Sequence, residues 1–308
     1  MRDVEVHSES DAAHGQASIG LVVIGHAGMS VVRTRTGRRE SLGGSGYAVA
    51  ASAAALIGSR VGLVAQVGLD FDLAPLRRLK VNLEGVTRLP GATARLCIDQ
   101  FDDGSRTFSA DLGVAADIRL DGFPSSYLNA PYIHLGTAPP KQQLEWLRFL
   151  RGRPHRAQIS VDMFEHYVAA DPAICHEVCD QADLVFLNQQ EHDGLYGGAE
   201  AKPPRILKAA SKGATLLADG LVYHVPAQQA QVVDQTGGGE ILAGVFLALR
   251  ADGRSARDAL EYAVRAATSC VEDYGVTGPR LTSELEAIRR KVGDESAGHW
   301  FAGDHVIR

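Results

Sequence analysis

The chain has 308 residues, 45 % hydrophobic and 22 % charged, which suits a soluble globular protein with room for a large core. Its net charge of −6 argues against nucleic-acid or anionic-membrane partners, and no apolar run reaches the length of a membrane span. Residues 1–18 are polar and acidic, so they read as a disordered segment rather than a signal peptide.

The four cysteines (Cys97, Cys175, Cys179, Cys270) are too few and too scattered for a disulfide framework, which points to a reducing, cytoplasmic compartment. Cys175-His176-x-x-Cys179 has no matching second ligand pair and reads as one face of a helix.

The apolar run 19–25 ends in Gly25 and predicts a buried first strand. Val31 to Arg39 predicts an exposed strand and turn. Gly43-Gly44 then opens an alanine-rich helix over 48–58, and small side chains let such a helix approach a sheet closely. Residues 61–68 predict another buried strand. Residues 92–110 break the pattern: loose alternation around Asp102-Asp103-Gly104 predicts an antiparallel hairpin.

Strands are expected at 132–136, 158–162 and 184–187, with helices at 141–151 and 173–182. A second hairpin is expected around Asp219-Gly220. Ser255 and Asp258 form a capping box for a helix to about Tyr274, stopped by Gly275. Alternating buried strands and helices give an α/β class with a doubly wound, mostly parallel sheet. One domain over 19–291 and a polar tail over 292–308 complete the expectation.

The stretch Asp234-Gln-Thr236-Gly237-Gly238-Gly239-Glu240 carries the chemistry. Three glycines free the backbone to present N–H groups, and the helix that follows adds unpaired N–H groups and a partial positive charge. That makes an anion site with a carboxylate at its mouth. Transfer of a phosphoryl group to a hydroxyl needs both: a hole for developing negative charge and a base for the proton.

In chain order, Gly25, Gly43-Gly44, Asp103-Gly-x-Arg106-Thr-Phe, Asn188-x-x-Glu191, the lysine-rich stretch before the second hairpin, and Asp234-x-Thr-Gly-x-Gly resemble the ribokinase-like sugar and nucleoside kinases, the PfkB family. The resemblance covers roughly residues 19–280. It implies a ribokinase-like core with a small β-lid from about 31–41 and 92–110, and an acceptor held between the two. Gly237, Gly238 and Gly239 would form the anion hole, with Glu240 as base. Ser30, Gly43, Gly44, Ala48 and Arg106 take substrate-side positions. Asn188, Lys208, Gly213 and Thr236 take cofactor-side positions, for ATP. Asn188 and Glu191 would organise Mg²⁺ through water, and Asp234 matches a site near a monovalent cation such as K⁺. Lid-mediated homodimers occur in the family.

Four positions depart from the family pattern. Glu240 replaces the usual aspartate, about 1.5 Å shorter. Ser30 and Ala48 stand where relatives carry Asp and Asn, and Ala210 stands where they carry the first glycine of Lys-x-Gly-x-x-Gly. Losing Asp and Asn leaves a roomier, less polar pocket and favours a nucleoside or less polar alcohol over a free sugar. Tyr47, Met163 and Phe164 fall in segments that line it or pack in the core.

The expected function is phosphorylation of a hydroxymethyl group on a sugar, nucleoside or related alcohol. Two alternatives stay open: phosphate-ester hydrolysis on the same cradle, and a ligand-binding pseudokinase.

Overall fold

The structure is a computed structural model and describes residues 18–35, 37–101, 106–154, 156–197, 203–218 and 220–298. Residues 1–17 of the expected disordered segment 1–18, the Asp102-Asp103-Gly104 turn and Asp219 lie outside the described residues.

Thirteen strands form two sheets among the described residues. The large sheet comprises β1 (Leu21–Ile24), β4 (Val61–Gly68), β5 (Val86–Leu89), β8 (Tyr132–Leu135), β9 (Gln158–Asp162), β10 (Leu184–Asn188), β11 (Arg205–Lys208), β12 (Ala214–Ala218) and β13 (Leu221–Val225). Its order is β13-β12-β11-β10-β9-β8-β1-β4-β5, parallel except for the antiparallel pairs at β11–β12–β13. From β1 the chain builds first outward to β4 and β5, then the other way from β8 to β11. The topological switch therefore falls between β1 and β8, where open α/β sheets place their ligands.

Both faces of the sheet are covered, so its strands are apolar throughout rather than alternating. On β1, Leu21 and Val23 join one core cluster while Val22 and Ile24 join the other. The first face carries α1 (Ser45–Ile57), α7 (Gly238–Ala251) and α8 (Ala256–Val271). The second carries α3 (Pro140–Arg151) and α5 (Pro172–Asp180).

The small side chains of α1 serve a helix contact as well as a sheet contact. A Cβ added at Gly244 of α7 would stand 2.2 Å from Ser52 Oγ and 2.7 Å from Val49 O. Ser255 Oγ accepts from Asp258 N at 3.1 Å, one half of the expected capping box, while its hydroxyl donates to Asp258 Oδ2 at 2.8 Å; α8 ends at Val271, short of the expected Tyr274.

The second sheet is the lid, ordered β3-β2-β6-β7 from β2 (Gly28–Thr34), β3 (Gly37–Gly43), β6 (Ala94–Gln100) and β7 (Arg106–Asp111). The β6–β7 pairing is antiparallel, as the loose alternation over 92–110 predicts. Among the described residues of 31–41, Val31 and Val32 are buried, whereas Arg33, Arg35 and 37–40 are exposed, in line with the expected exposed strand and turn. At the C-terminus, α9 (Pro279–Gly298) runs through the boundary drawn at 291, so residues 292–298 continue a helix; 299–308 lie outside the described residues.

Candidate active site

The carboxyl ends of β1, β8, β9, β10 and β11 meet under the lid. At the switch point the backbone is packed too closely for side chains. Gly44, the residue before α1, has φ +94°, and a Cβ there would stand 2.6 Å from His26 O. A Cβ on Gly43 would fall 2.1 Å from Ser30 Oγ. His26 is tied to Thr137 O (3.1 Å) and Ala115 O (3.2 Å), and Ser45 Oγ donates to Thr137 O at 3.2 Å. These contacts seal the acceptor end of the cleft.

The substrate-side residues are small and sparsely polar. Ser30 is buried on β2 opposite Ser41. Ala48 is 2 % exposed and packs in the core, so it offers no polar contact. Tyr47 and Met163 are also core residues. Phe164, after β9, is half-buried and meets Phe108 of the lid edge-on, with centroids 5.1 Å apart at 68°. His166 and Tyr167 extend the aromatic group, each within 6.3 Å of the Phe164 ring. Of Arg106 only the backbone is described, in β7 opposite Gln100.

The phosphate side is densely polar. Gly237 caps α7 with φ +84°, and a Cβ there would stand 2.2 Å from Val276 Cγ1. The N–H groups of the first helical turn, from Gly238 onward, face the cleft without intrahelical acceptors. Thr236 Oγ1, beside them, is buried and has no hydrogen-bond partner among the described residues. That orphan and the glycine cradle fit a phosphate group. Glu240 is half-buried in the same turn, and among the described residues no hydrogen bond or ion pair restrains its carboxylate.

Asp234 holds the turn from below. Its Oδ1 accepts from Thr236 N (2.9 Å) and from Gln100 Nε2 of the lid (3.0 Å), and its Oδ2 accepts from Gly275 N (3.2 Å). With both oxygens so engaged, Asp234 anchors the loop.

Asn188 and Glu191 form a closed capping box at the start of α6 (Gln189–Tyr196). Asn188 Oδ1 accepts from Glu191 N at 2.8 Å, while Glu191 accepts from Asn188 N (2.7 Å) and Asn188 Nδ2 (2.9 Å). Glu191 is 3 % exposed. Burial, above all, raises its carboxyl above the usual range, and Lys208 opposes that rise. Hard oxygen donors of this kind suit Mg²⁺ held through water.

Lys208 ends β11, directly beside Asn188, and its Nζ pairs with Asp162 Oδ1 at 2.6 Å. Asp162 ends β9 and is 2 % exposed. Burial pushes its carboxyl up to about 7 against the pull of Lys208, with Glu240 and Glu191 adding to the rise. Burial disfavours the Lys208 ammonium, but Asp162, Glu191 and Glu240 together outweigh it and hold the group protonated.

Beyond Lys208 the chain makes the tight turn that carries Ala210 and Gly213. Gly213 has φ +94°, and a Cβ there would stand 2.0 Å from Val225 O. Ala210 also sits in the left-handed region, at φ +49°, a conformation that costs a side chain about 1–2 kcal/mol. The alanine therefore keeps a glycine's backbone.

Sequence reasoning missed Asp162, Gln100 and the Phe108–Phe164 pair. Asp162 had one visible signal, an acid closing an otherwise apolar strand. The other two are tertiary contacts between distant segments.

A family model described as "pfkB family carbohydrate kinase" matches residues 17–283. Among curated proteins, the chain is 30 % identical over 272 residues to a cytidine kinase of Thermococcus kodakarensis, covering 83 % of this chain and 98 % of that protein. It is 27 % identical to a ribokinase of Lactococcus lactis, covering 88 % of this chain and 97 % of that protein. Among solved structures, adenosine kinase of Sinorhizobium meliloti superposes with a TM-score of 0.76 at 19 % identity, over 89 % of this chain and all of that one, which shows a shared fold.

Proposed function

This chain belongs to the pfkB family of carbohydrate kinases, a sugar and nucleoside kinase family, and from that premise we propose that it phosphorylates the hydroxymethyl group of a nucleoside, with ATP as donor. The observation that carries the choice of acceptor is the Phe108–Phe164 pair, which joins the lid to the segment after β9. An aromatic wall suits a base, whereas Ser30 and Ala48 supply little of the polar contact that a free sugar needs. The cytidine kinase relative points the same way.

In this reading the acceptor lies between the lid and the switch point, its hydroxyl at Glu240. Glu240 takes the hydroxyl proton as the acceptor oxygen bonds to the γ-phosphorus and the bond to the leaving ADP oxygen breaks. The N–H groups of the Gly237–Gly239 turn receive the charge that builds on the transferred group. Asn188 and Glu191 would hold Mg²⁺ through water, and the ion would neutralise phosphate charge. No step is routed through a monovalent cation.

The test is ADP formation by purified protein with Mg·ATP across a panel of nucleosides and free sugars. Turnover with pyrimidine or purine nucleosides is expected. Turnover with ribose or fructose and none with nucleosides would overturn the choice of acceptor. Phosphate release without any acceptor would favour a hydrolase, and no ADP formation at all would remove the kinase reading.

A further inference from the structure

The charged pair beneath the phosphate side has no part in the proton transfer described above, yet it is the most deeply buried ion pair among the described residues. Asp162 and Lys208 come from strands on either side of β10, and each ends its strand at the level of the catalytic turn. A Cβ added at Gly239 would stand 3.3 Å from Lys208 Nζ and 3.4 Å from its Cδ. The lysine side chain thus lies flat against the third glycine of the turn, one residue before Glu240. Three carboxylates act on its charge, Asp162 of β9, Glu191 of α6 and Glu240 of α7, while burial holds His134 of β8 neutral.

We infer that Asp162 and Lys208 are a positioning pair for phosphoryl transfer: Asp162 pins Lys208 against Gly239, and the ammonium fixes the anion-hole turn and places a positive charge behind it. The inference rests on the kinase reading for its kinetic arm and on the geometry alone for its binding arm. Two facts support it. An ion pair buried this deeply pays a large desolvation cost, and replacing such a pair by apolar residues is often neutral for stability, so stability alone does not account for it. The side chain of Lys208 also occupies the space that the missing Gly239 side chain leaves, so the glycine and the lysine act as one unit.

The experiment compares the parent with Lys208→Met, Lys208→Arg, Gly239→Ala and the double variant Asp162→Asn/Lys208→Met, which buries no charge and keeps the fold testable. The binding arm measures affinity for inorganic phosphate by calorimetry. The kinetic arm measures kcat and KM with the acceptor found in the panel. Lys208→Met and the double variant are expected to bind phosphate about tenfold more weakly and to lose about 10²-fold in kcat, the scale of a lost oxyanion-hole donor. KM for nucleoside and ATP should change little. Lys208→Arg should recover part of both losses, and Gly239→Ala, which displaces the lysine without removing its charge, should reproduce part of them.

The inference is overturned if phosphate affinity is the same in Lys208→Met and the parent, or if the parent binds no phosphate. It is equally overturned if the variants lose thermal stability with kcat intact, or if KM for ATP rises alone, which would make Lys208 a nucleotide ligand. A parent that binds phosphate but turns nothing over removes the kinase reading and leaves the binding arm to decide.

Discussion

The two ends of the cleft are built on opposite plans. The acceptor end is made of backbone: Gly43 and Gly44 pressed on their neighbours, Ala48 withdrawn into the core, and one aromatic contact between lid and sheet. The phosphate end is made of charge: Asp162, Lys208, Glu191 and Glu240 at the ends of neighbouring elements, with an orphaned hydroxyl on Thr236. Chemistry that is the same for every acceptor needs fixed dipoles and charges. In the proposed reading, discrimination between acceptors is left to shape and to the ring that the lid contributes.

The sharpest way to break this contrast is at the base. Glu240→Gln keeps the volume and removes the proton acceptor, so kcat is expected to fall about 10³-fold, within the range for lost general-base catalysis, while nucleoside affinity stays within a factor of three or so. A matching loss of affinity, read by calorimetry, would move Glu240 from catalysis to substrate binding.

Acid tests both ends at once. Burial, the main cause, lowers the pKa of His134 from the ordinary 6.5 to about 3, and lowers that of His26 as well. Above pH 6.5 both folded and unfolded states carry these histidines neutral, and their contribution to stability is complete. As pH falls below 6.5 the unfolded chain binds protons that the fold refuses. For His134 this costs about 1.4 kcal/mol per pH unit, or about 2 kcal/mol by pH 5. Urea unfolding at pH 7 and pH 5 reads the loss, and His134→Asn should flatten it; an unchanged slope would place the acid lability elsewhere.

A smaller effect separates the acceptor end from the rest. Phe108→Ala removes the lid's half of the aromatic contact, and stacking of one base is worth about 1–3 kcal/mol. KM for the nucleoside should rise about 5- to 150-fold, with KM for ATP and phosphate affinity unchanged. Equal changes in both substrates would show that Phe108 serves lid closure in general.

The smallest effect lies in the turn after Lys208. Ala210→Gly relieves about 1–2 kcal/mol of left-handed strain but adds about 0.5–1 kcal/mol of unfolded-state entropy. A net gain of roughly 0.5 kcal/mol, seen as a small rise in Tm, is expected. A loss would mean that the alanine methyl makes a contact worth more than the strain.

What the chain reveals on reading follows from how local each feature is. The apolar strands, the Gly43-Gly44 turn, the Asn188–Glu191 box and the triple-glycine helix start are each written within a few adjacent residues, and the α/β order follows from them. Ala210 was half legible: its departure from glycine stands in the sequence, whereas its left-handed backbone belongs to the tight turn in which Gly213 N donates to Ala210 O. Asp162 meets Lys208 across 46 positions and Phe108 meets Phe164 across a whole lid, so neither pair leaves a local pattern. The helix running on through residue 298 was hidden by a polar composition that reads as tail.

One carboxylate oxygen, Asp234 Oδ1, serves two masters. It receives Gln100 from the lid and the backbone of Thr236 from the catalytic turn. Losing Gln100 would strip that oxygen of one donor and leave the carboxylate held by Thr236 N and Gly275 N. Coupling of this kind is reciprocal. A change that frees Gln100 would loosen the turn, and a change that shifts Thr236 would loosen the hold on Gln100, so lid and turn are joined at a single atom.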